Sequence, residues 1–195
     1  RLAEPLDCND HTIGIGIQML GRAEERCGDL ARAEAAYRYV VARVLDPYWL
    51  GQLAHTRWFL ANLLWATGRP DEAREQLDLA EAGFREAHEP FRRPEILCGR
   101  VRLALDGGPD PTEAVREALE LAVRTAAAEP LRIAAAGAVA MGSDERAALA
   151  RFARKSDPLT EADRREDAIL AAIGGPGPAL RPAAAVAAIR RVLAR

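Results

Sequence analysis

The chain has 195 residues, a formal net charge of −2, and 49% hydrophobic residues. That length suits one domain or one repeat array, and that apolar share is enough for a sizeable core. Arginines and acidic residues are interspersed along the chain, which excludes the basic footprint of a nucleic-acid binder, and no apolar run approaches the ~20 residues that span a bilayer.

Aromatics are only 5% of the chain, so Ala, Leu, Val and Ile supply most of the hydrophobicity and favour helix. Pro47, Pro70, Pro90, Pro94, Pro109, Pro111, Pro130 and Pro158 fall between helical patterns, where a missing N–H does no harm. The first helix is predicted over residues 13–27, with Asn9, Asp10 or Thr12 as its cap. Thr12 to Ile17 alternates with period two as a strand does, but the chain offers no partner strand, so helix is preferred. A second helix over 30–45 places Leu30, Ala33, Tyr37, Val40 and Val44 on one face. A third, over 50–67, is apolar around much of its circumference through Leu53, Trp58, Leu60, Ala61, Leu64 and Trp65, and such a helix is buried on several sides. Gly68-Arg69-Pro70 breaks the chain. The fourth helix starts at Asp71 and carries a stripe of Ala73, Leu77, Ala80, Phe84 and Ala87. Residues 95–105 and 111–127 form a third pair. Segments 131–141, 144–155 and 160–173 follow, the last opened by Thr160-Glu161-Ala162-Asp163, which has capping-box character. Residues 174–182, rich in Gly and Pro, read as a linker to a last helix over 183–194.

Chemistry-bearing motifs are sparse. Cys8, Cys27 and Cys98 are odd in number and widely spaced, which argues against a disulfide framework and for reduced thiols in a cytoplasmic protein, with Cys27 and Cys98 as small core residues. Cys8, Asp10 and His11 lack the further ligands a metal site needs, and no cofactor is expected. Gly14, Gly16 and Gly21 have the wrong spacing for a dinucleotide loop. No nucleophile elbow, metalloprotease helix or phosphate loop is present, so the expectation is a non-enzyme. The basic, amphipathic segment 181–195 reads as a helix that packs back on the domain rather than as a membrane anchor. Beginning at Arg1, the chain is expected to be a piece of a larger protein.

The turns recur. Gly28-Asp29-Leu30-Ala31-Arg32-Ala33 is matched 40 positions later by Gly68-Arg69-Pro70-Asp71-Glu72-Ala73. Another 40 on stands Gly108-Pro109-Asp110-Pro111-Thr112-Glu113, with Ala114 one position late. A fixed period in this range marks a stack of helical hairpins, each burying the open face of the next. Leu20-Gly21, the turn from Gly28 to Ala33, and Tyr37 resemble the tetratricopeptide (TPR) motif; Leu60-Ala61, Gly68 to Ala73, and Leu77 repeat it. The period exceeds the standard 34 residues and is similar to that of the longer variants in large bacterial transcriptional activators and signalling ATPases. The resemblance covers residues 13–127 with decreasing fidelity.

The resemblance implies an all-α, right-handed solenoid of antiparallel hairpins. Residues 1–12 would be an N-terminal extension, 13–127 three hairpins, 128–173 a degenerate repeat or cap, and 174–195 a linker and final helix. In such arrays the first helix of each hairpin lines a concave groove. Carried over, this places Ile15, Gln18, Arg22 and Glu25 there, then His55, Trp58, Asn62 and Trp65, then Glu95, Cys98, Arg102 and Leu105. Asn pairs with amides, Arg clamps anions and Trp supplies contact area, a set suited to a peptide backbone or carboxylate. The competing reading makes Trp58 and Trp65 core residues between hairpins. The expected function is a protein- or peptide-binding scaffold or sensor domain of a larger bacterial cytoplasmic protein. The alternatives are a small-molecule-sensing regulatory domain of a transcriptional activator or signalling ATPase, and a helical enzyme or its accessory subunit. A homodimer through an exposed helix face is a further expectation; direct nucleic-acid or membrane binding is not.

Overall fold

The computed structural model is described over residues 11–43 and 49–195, apart from the side chains of residues 11 and 12. Cys8, the cap candidates Asn9 and Asp10, Pro47 and the expected end of the second helix at Val44 and Leu45 lie outside the described residues. Every regular element among those described is helical. In chain order they are α1 (His11–Cys27), α2 (Leu30–Arg43), α3 (Leu50–Ala66), α4 (Pro70–Glu86), a 3-10 turn (Pro90–Arg92), α5 (Arg93–Leu105), α6 (Thr112–Thr125), α7 (Ala128–Ala140), α8 (Arg146–Ala153), α9 (Glu161–Gly174) and α10 (Pro182–Leu193). The period-two stretch at Thr12 to Ile17 is helix; alternation needs a pairing strand to become a sheet, and none exists among the described residues. No helix among the described residues is long and apolar enough to cross a membrane.

The chain divides into two compact units, residues 1–92 and 93–195. The third hairpin of the sequence repeat therefore sits with the C-terminal helices rather than with the first two hairpins.

In the first unit α1 packs on α2, α2 on α3, and α3 on α4. The turns between the two helices of each hairpin share one geometry. At Gly28 (φ 85°) the glycine N–H donates to Glu25 O and the next N–H to Glu24 O, at 3.1 and 2.9 Å. At Gly68 (φ 81°) the same pair of bonds reaches Trp65 O and Leu64 O at 3.0 and 2.9 Å. This is the Schellman C-cap, which needs a left-handed residue after the helix. Gly21 lets α1 and α2 approach: a Cβ there would lie 2.7 Å from the Tyr37 ring. α3 is the central helix, with every residue from Phe59 to Trp65 buried. Its fully buried Leu60, Leu63 and Leu64 each contribute on the order of 2 kcal/mol of burial. The α4 stripe is buried as expected through Ala73, Leu77, Ala80 and Phe84.

In the second unit α7 is central. Its residues from Pro130 to Val139 are all buried, and α5, α6, α8 and α10 pack around it. Gly137 permits this: a Cβ there would fall 2.3 Å from Val115 Cγ2 and 3.1 Å from Val101 Cγ2. The Schellman turn recurs at Gly107 (φ 79°) and Gly142 (φ 78°). The third left-handed glycine is thus Gly107 and not Gly108, and the fourth lies where the sequence carries no legible repeat. The two cysteines split. Cys98 is buried, but Cys27 is exposed rather than in the core, because it falls outside the inward-facing positions Gln18, Gly21 and Glu25 of α1.

Candidate functional site

The inner face of α1 presents Gln18, Arg22 and Glu25, spaced four and three residues apart and so stacked on one side of the helix. The facing helix α3 presents Gln52, His55 and Phe59 on successive turns, with Trp58 beside them. Gln18 and Glu25 are buried, at 2% and 3% exposure, and Arg22, His55 and Trp58 are half-buried. Gln52 Nε2 donates to Gln18 Oε1 and ties α1 to α3. Tyr37 of α2 donates its hydroxyl to Glu25 Oε2 at 3.2 Å.

The rings form a connected cluster. Phe59 stacks on Tyr37 with centroids 5.7 Å apart and lies 4.6 Å from His55 and 4.9 Å from Trp58. His55 in turn stacks on Trp58 at 5.6 Å. The Arg22 guanidinium lies over the Phe59 ring, 5.0 Å from its centroid, a favourable cation–π placement. Among the described residues no carboxylate comes within ion-pair distance of Arg22, and its one polar contact is a weak one to Met19 Sδ at 4.0 Å. His55 has ring contacts but no hydrogen bond among the described residues. Burial first, then the charges of Arg92 and Arg22, push the His55 pKa down to about 4, so the imidazole is neutral near pH 7. Burial, reinforced by the charge and hydrogen bond of Glu25, raises the Tyr37 pKa and keeps its phenol protonated.

The residues expected from the sequence are distributed as follows. Gln18, Arg22, Glu25, His55 and Trp58 come together on α1 and α3. Asn62 is on the same helix but is only 8% exposed, and its Nδ2 donates to Trp58 O, four residues back, at 3.0 Å. Trp65 is 2% exposed and belongs to the core. Of the other groove positions, Ile15 is half-buried on α1, while Glu95, Cys98 and Leu105 lie on α5 in the second unit. Gln52, Phe59 and Tyr37 were missed. Gln52 and Phe59 flank His55 at three and four residues, so helical spacing around His55, which the TPR resemblance had singled out, points to them.

Arg102 is in the second unit, 3% exposed, inside a network of buried charge. It donates to Asp163 Oδ1 at 2.6 Å and to Glu166 Oε2 at 2.9 Å. Arg132 of α7 bonds Glu166 Oε1 at 2.8 Å, Glu129 Oε1 at 2.9 Å, and the Ala153 carbonyl at 2.9 Å. Lys155 bonds Asp163 Oδ1 at 2.6 Å. Asp163 also closes the capping box of α9 with Thr160, as the sequence suggested. Burial works to raise the carboxyl pKa of Asp163 and of Glu166, but Arg102, aided by Lys155 at Asp163 and by Arg132 at Glu166, outweighs it and holds both ionised. Arg102, Arg132 and Lys155 are thus balanced by Glu129, Asp163 and Glu166, leaving no net charge for a ligand. Burial raises the Cys98 thiol pKa, which leaves it unreactive.

No cluster of His, Cys, Asp or Glu among the described residues is arranged to hold a metal ion. Comparison of the chain with protein-family models, curated proteins and solved structures gave no match. The α1–α3 surface is therefore characterised by its chemistry alone: one half-buried cation, one neutral imidazole and a bed of aromatic rings.

Proposed function

We propose that this chain is a partner-recognition domain of the TPR-like, long-repeat kind, and that α1 and α3 form its docking surface for a peptide or protein segment. The observation that carries the reading is Arg22. It is a half-buried guanidinium with no carboxylate partner among the described residues, lying over Phe59 in the ring cluster that holds His55 and Trp58. Arginine and tryptophan in such a setting are the residue types that dominate binding energy at interfaces. The recurrence of one hairpin turn at Gly28 and Gly68, and the close helix approach at Gly21, support the repeat reading. A regulatory or scaffolding role in a larger bacterial cytoplasmic protein follows from the resemblance, not from the site.

The experiment is selection of peptides against the whole chain, followed by titration of the best binder against wild type, Arg22→Ala and Trp58→Ala. Each variant is first checked for an unchanged helical spectrum and melting temperature. The expected result is a loss of about tenfold or more in affinity for each, about 1.4 kcal/mol. Binding of equal strength by both folded variants would remove α1 and α3 as the docking surface.

A further inference from the structure

The last helix of the second unit is attached in an unusual way. α10 follows residues 175–181, an exposed Gly/Pro-rich stretch in which Leu180 alone is half-buried. Leu180 packs against the core of the unit, and the polar hold on the stretch comes from one side chain of α8. Arg151 Nε donates to Pro178 O at 2.7 Å, and its NH1 group donates to Gly174 O and, at 3.4 Å, to Pro176 O. Arg151 has no carboxylate partner among the described residues, so backbone carbonyls are the acceptors of its charge. Two glycines, Gly174 at the end of α9 and Gly177 in the stretch, leave room for it. A Cβ on Gly174 would sit 3.0 Å from Arg151 Cγ, and one on Gly177 (φ 133°) 3.2 Å from its Cζ.

α10 itself docks through Ala185, Ala188, Ile189 and Val192, spaced i, i+3, i+4 and i+7, onto α6, α7 and α8. That is the pattern of an amphipathic helix laid in an apolar groove. Arg191 pairs with Glu145, and Arg195 with Asp144, at the groove's edge. Both pairs are solvent-exposed, and exposed pairs hold weakly. Two of the four buried anchors are alanines, whereas α7 buries every residue from Pro130 to Val139. Opening of α10 alone therefore exposes far less apolar surface than unfolding of the unit, and elements of that kind open locally.

We propose that α10 is a releasable strap, and that the groove it fills on α6, α7 and α8 is a docking site for another amphipathic helix of the same character. The partner helix carries small and aliphatic residues at i, i+3, i+4 and i+7, followed by basic residues that meet Asp144 and Glu145. Arg151 is the positioning residue that keeps the strap closed, and its release raises the fraction of chains with an open groove.

The test uses the intact chain as wild type, Arg151→Ala and Arg151→Lys. Hydrogen exchange is followed separately in α10 and α7, and binding of a labelled peptide of residues 182–195 is followed by anisotropy. In wild type, α10 amides are expected to exchange about 100-fold faster than those of α7. Arg151→Ala is expected to speed α10 alone by about tenfold and to strengthen peptide binding by a similar factor. Arg151→Lys keeps the charge but not the fork of donors, and is expected to fall between the two. Should Arg151→Ala fail to fold, wild type and Arg151→Lys still decide the matter. Equal exchange in α10 and α7 would show that the helix leaves only by global unfolding, and would overturn the strap. Faster α10 exchange in the variants with no gain in peptide binding would overturn the docking site.

Discussion

Two sites, one in each unit, handle their cations in opposite ways. In the second unit Arg102, Arg132 and Lys155 are matched by Asp163, Glu166 and Glu129 at 2.6 to 2.9 Å, and both arginines are almost wholly buried. In the first unit, among the described residues, Arg22 lies over Phe59 with no carboxylate partner, beside an imidazole with no hydrogen bond. A charge neutralised inside the fold fixes which helices pack together and has little left for a ligand. A charge left on an aromatic surface adds little to the fold and remains available to a partner. Under the proposed function, the contrast sets a structural role for Arg102 and Arg132 against a recognition role for Arg22.

The comparison breaks most directly at the buried network. Arg102→Ala leaves Asp163 and Glu166 short of a cation in a buried site, and removing one partner of such a group costs about 3–5 kcal/mol. Chemical denaturation should show that loss, while a peptide bound at α1 and α3 should keep its affinity wherever the variant remains folded. Loss of peptide affinity in the folded variant would mean that the two units are not separable in function.

A backbone change in the first unit comes next. Gly68 has a φ of 81°, where a left-handed residue with a side chain costs roughly 1–2 kcal/mol and a β-branched one more. Gly68→Val is expected to destabilise the chain by about 2 kcal/mol or more in a thermal melt. A melt unchanged from wild type would show that the turn relaxes out of the left-handed region at no cost.

Acid sharpens the comparison because the titrating groups differ. His55 is depressed from 6.5 to about 4. Its neutral form is favoured by the fold, so its contribution is complete above pH 6.5 and is lost progressively as pH falls toward 4. Discounted for partial exposure, the loss is on the order of 1–2 kcal/mol. The network carboxylates, held below their ordinary range, lose their contribution only as pH falls below about 4.5. Between pH 6.5 and 4.5 the acid sensitivity should therefore vanish in His55→Gln, and its persistence would mean that another group titrates there. The smallest effect belongs to Arg22→Ala, which removes a half-exposed cation–π contact and should change stability by only about 0.5–1 kcal/mol while weakening peptide binding far more.

Much of the secondary structure was legible because its signals are local. Gly28 and Gly68 close helices, Pro70 and Pro182 mark the breaks although each is itself the first residue of the next helix, and the stripe from Ala73 to Phe84 reads as a buried face from spacing alone. The resemblance to the TPR motif, carried over position by position, singled out Gln18, Arg22 and Glu25 on α1 and His55 and Trp58 on α3. It could not tell a surface from an interior. Asn62 and Trp65 share the helical spacing of His55 and Trp58, yet both are buried, because α3 is packed between α2 and α4.

What the sequence determined by itself was the all-helical class, the hairpin turns and the amphipathic faces, since each rests on residues within a few positions of one another. Tertiary structure alone decided that Arg102 pairs with carboxylates 61 and 64 residues away, that the chain divides after Arg92, and that Arg22 has no carboxylate within reach among the described residues. Such pairings are set by which helix faces meet on packing, and no short-range pattern encodes them.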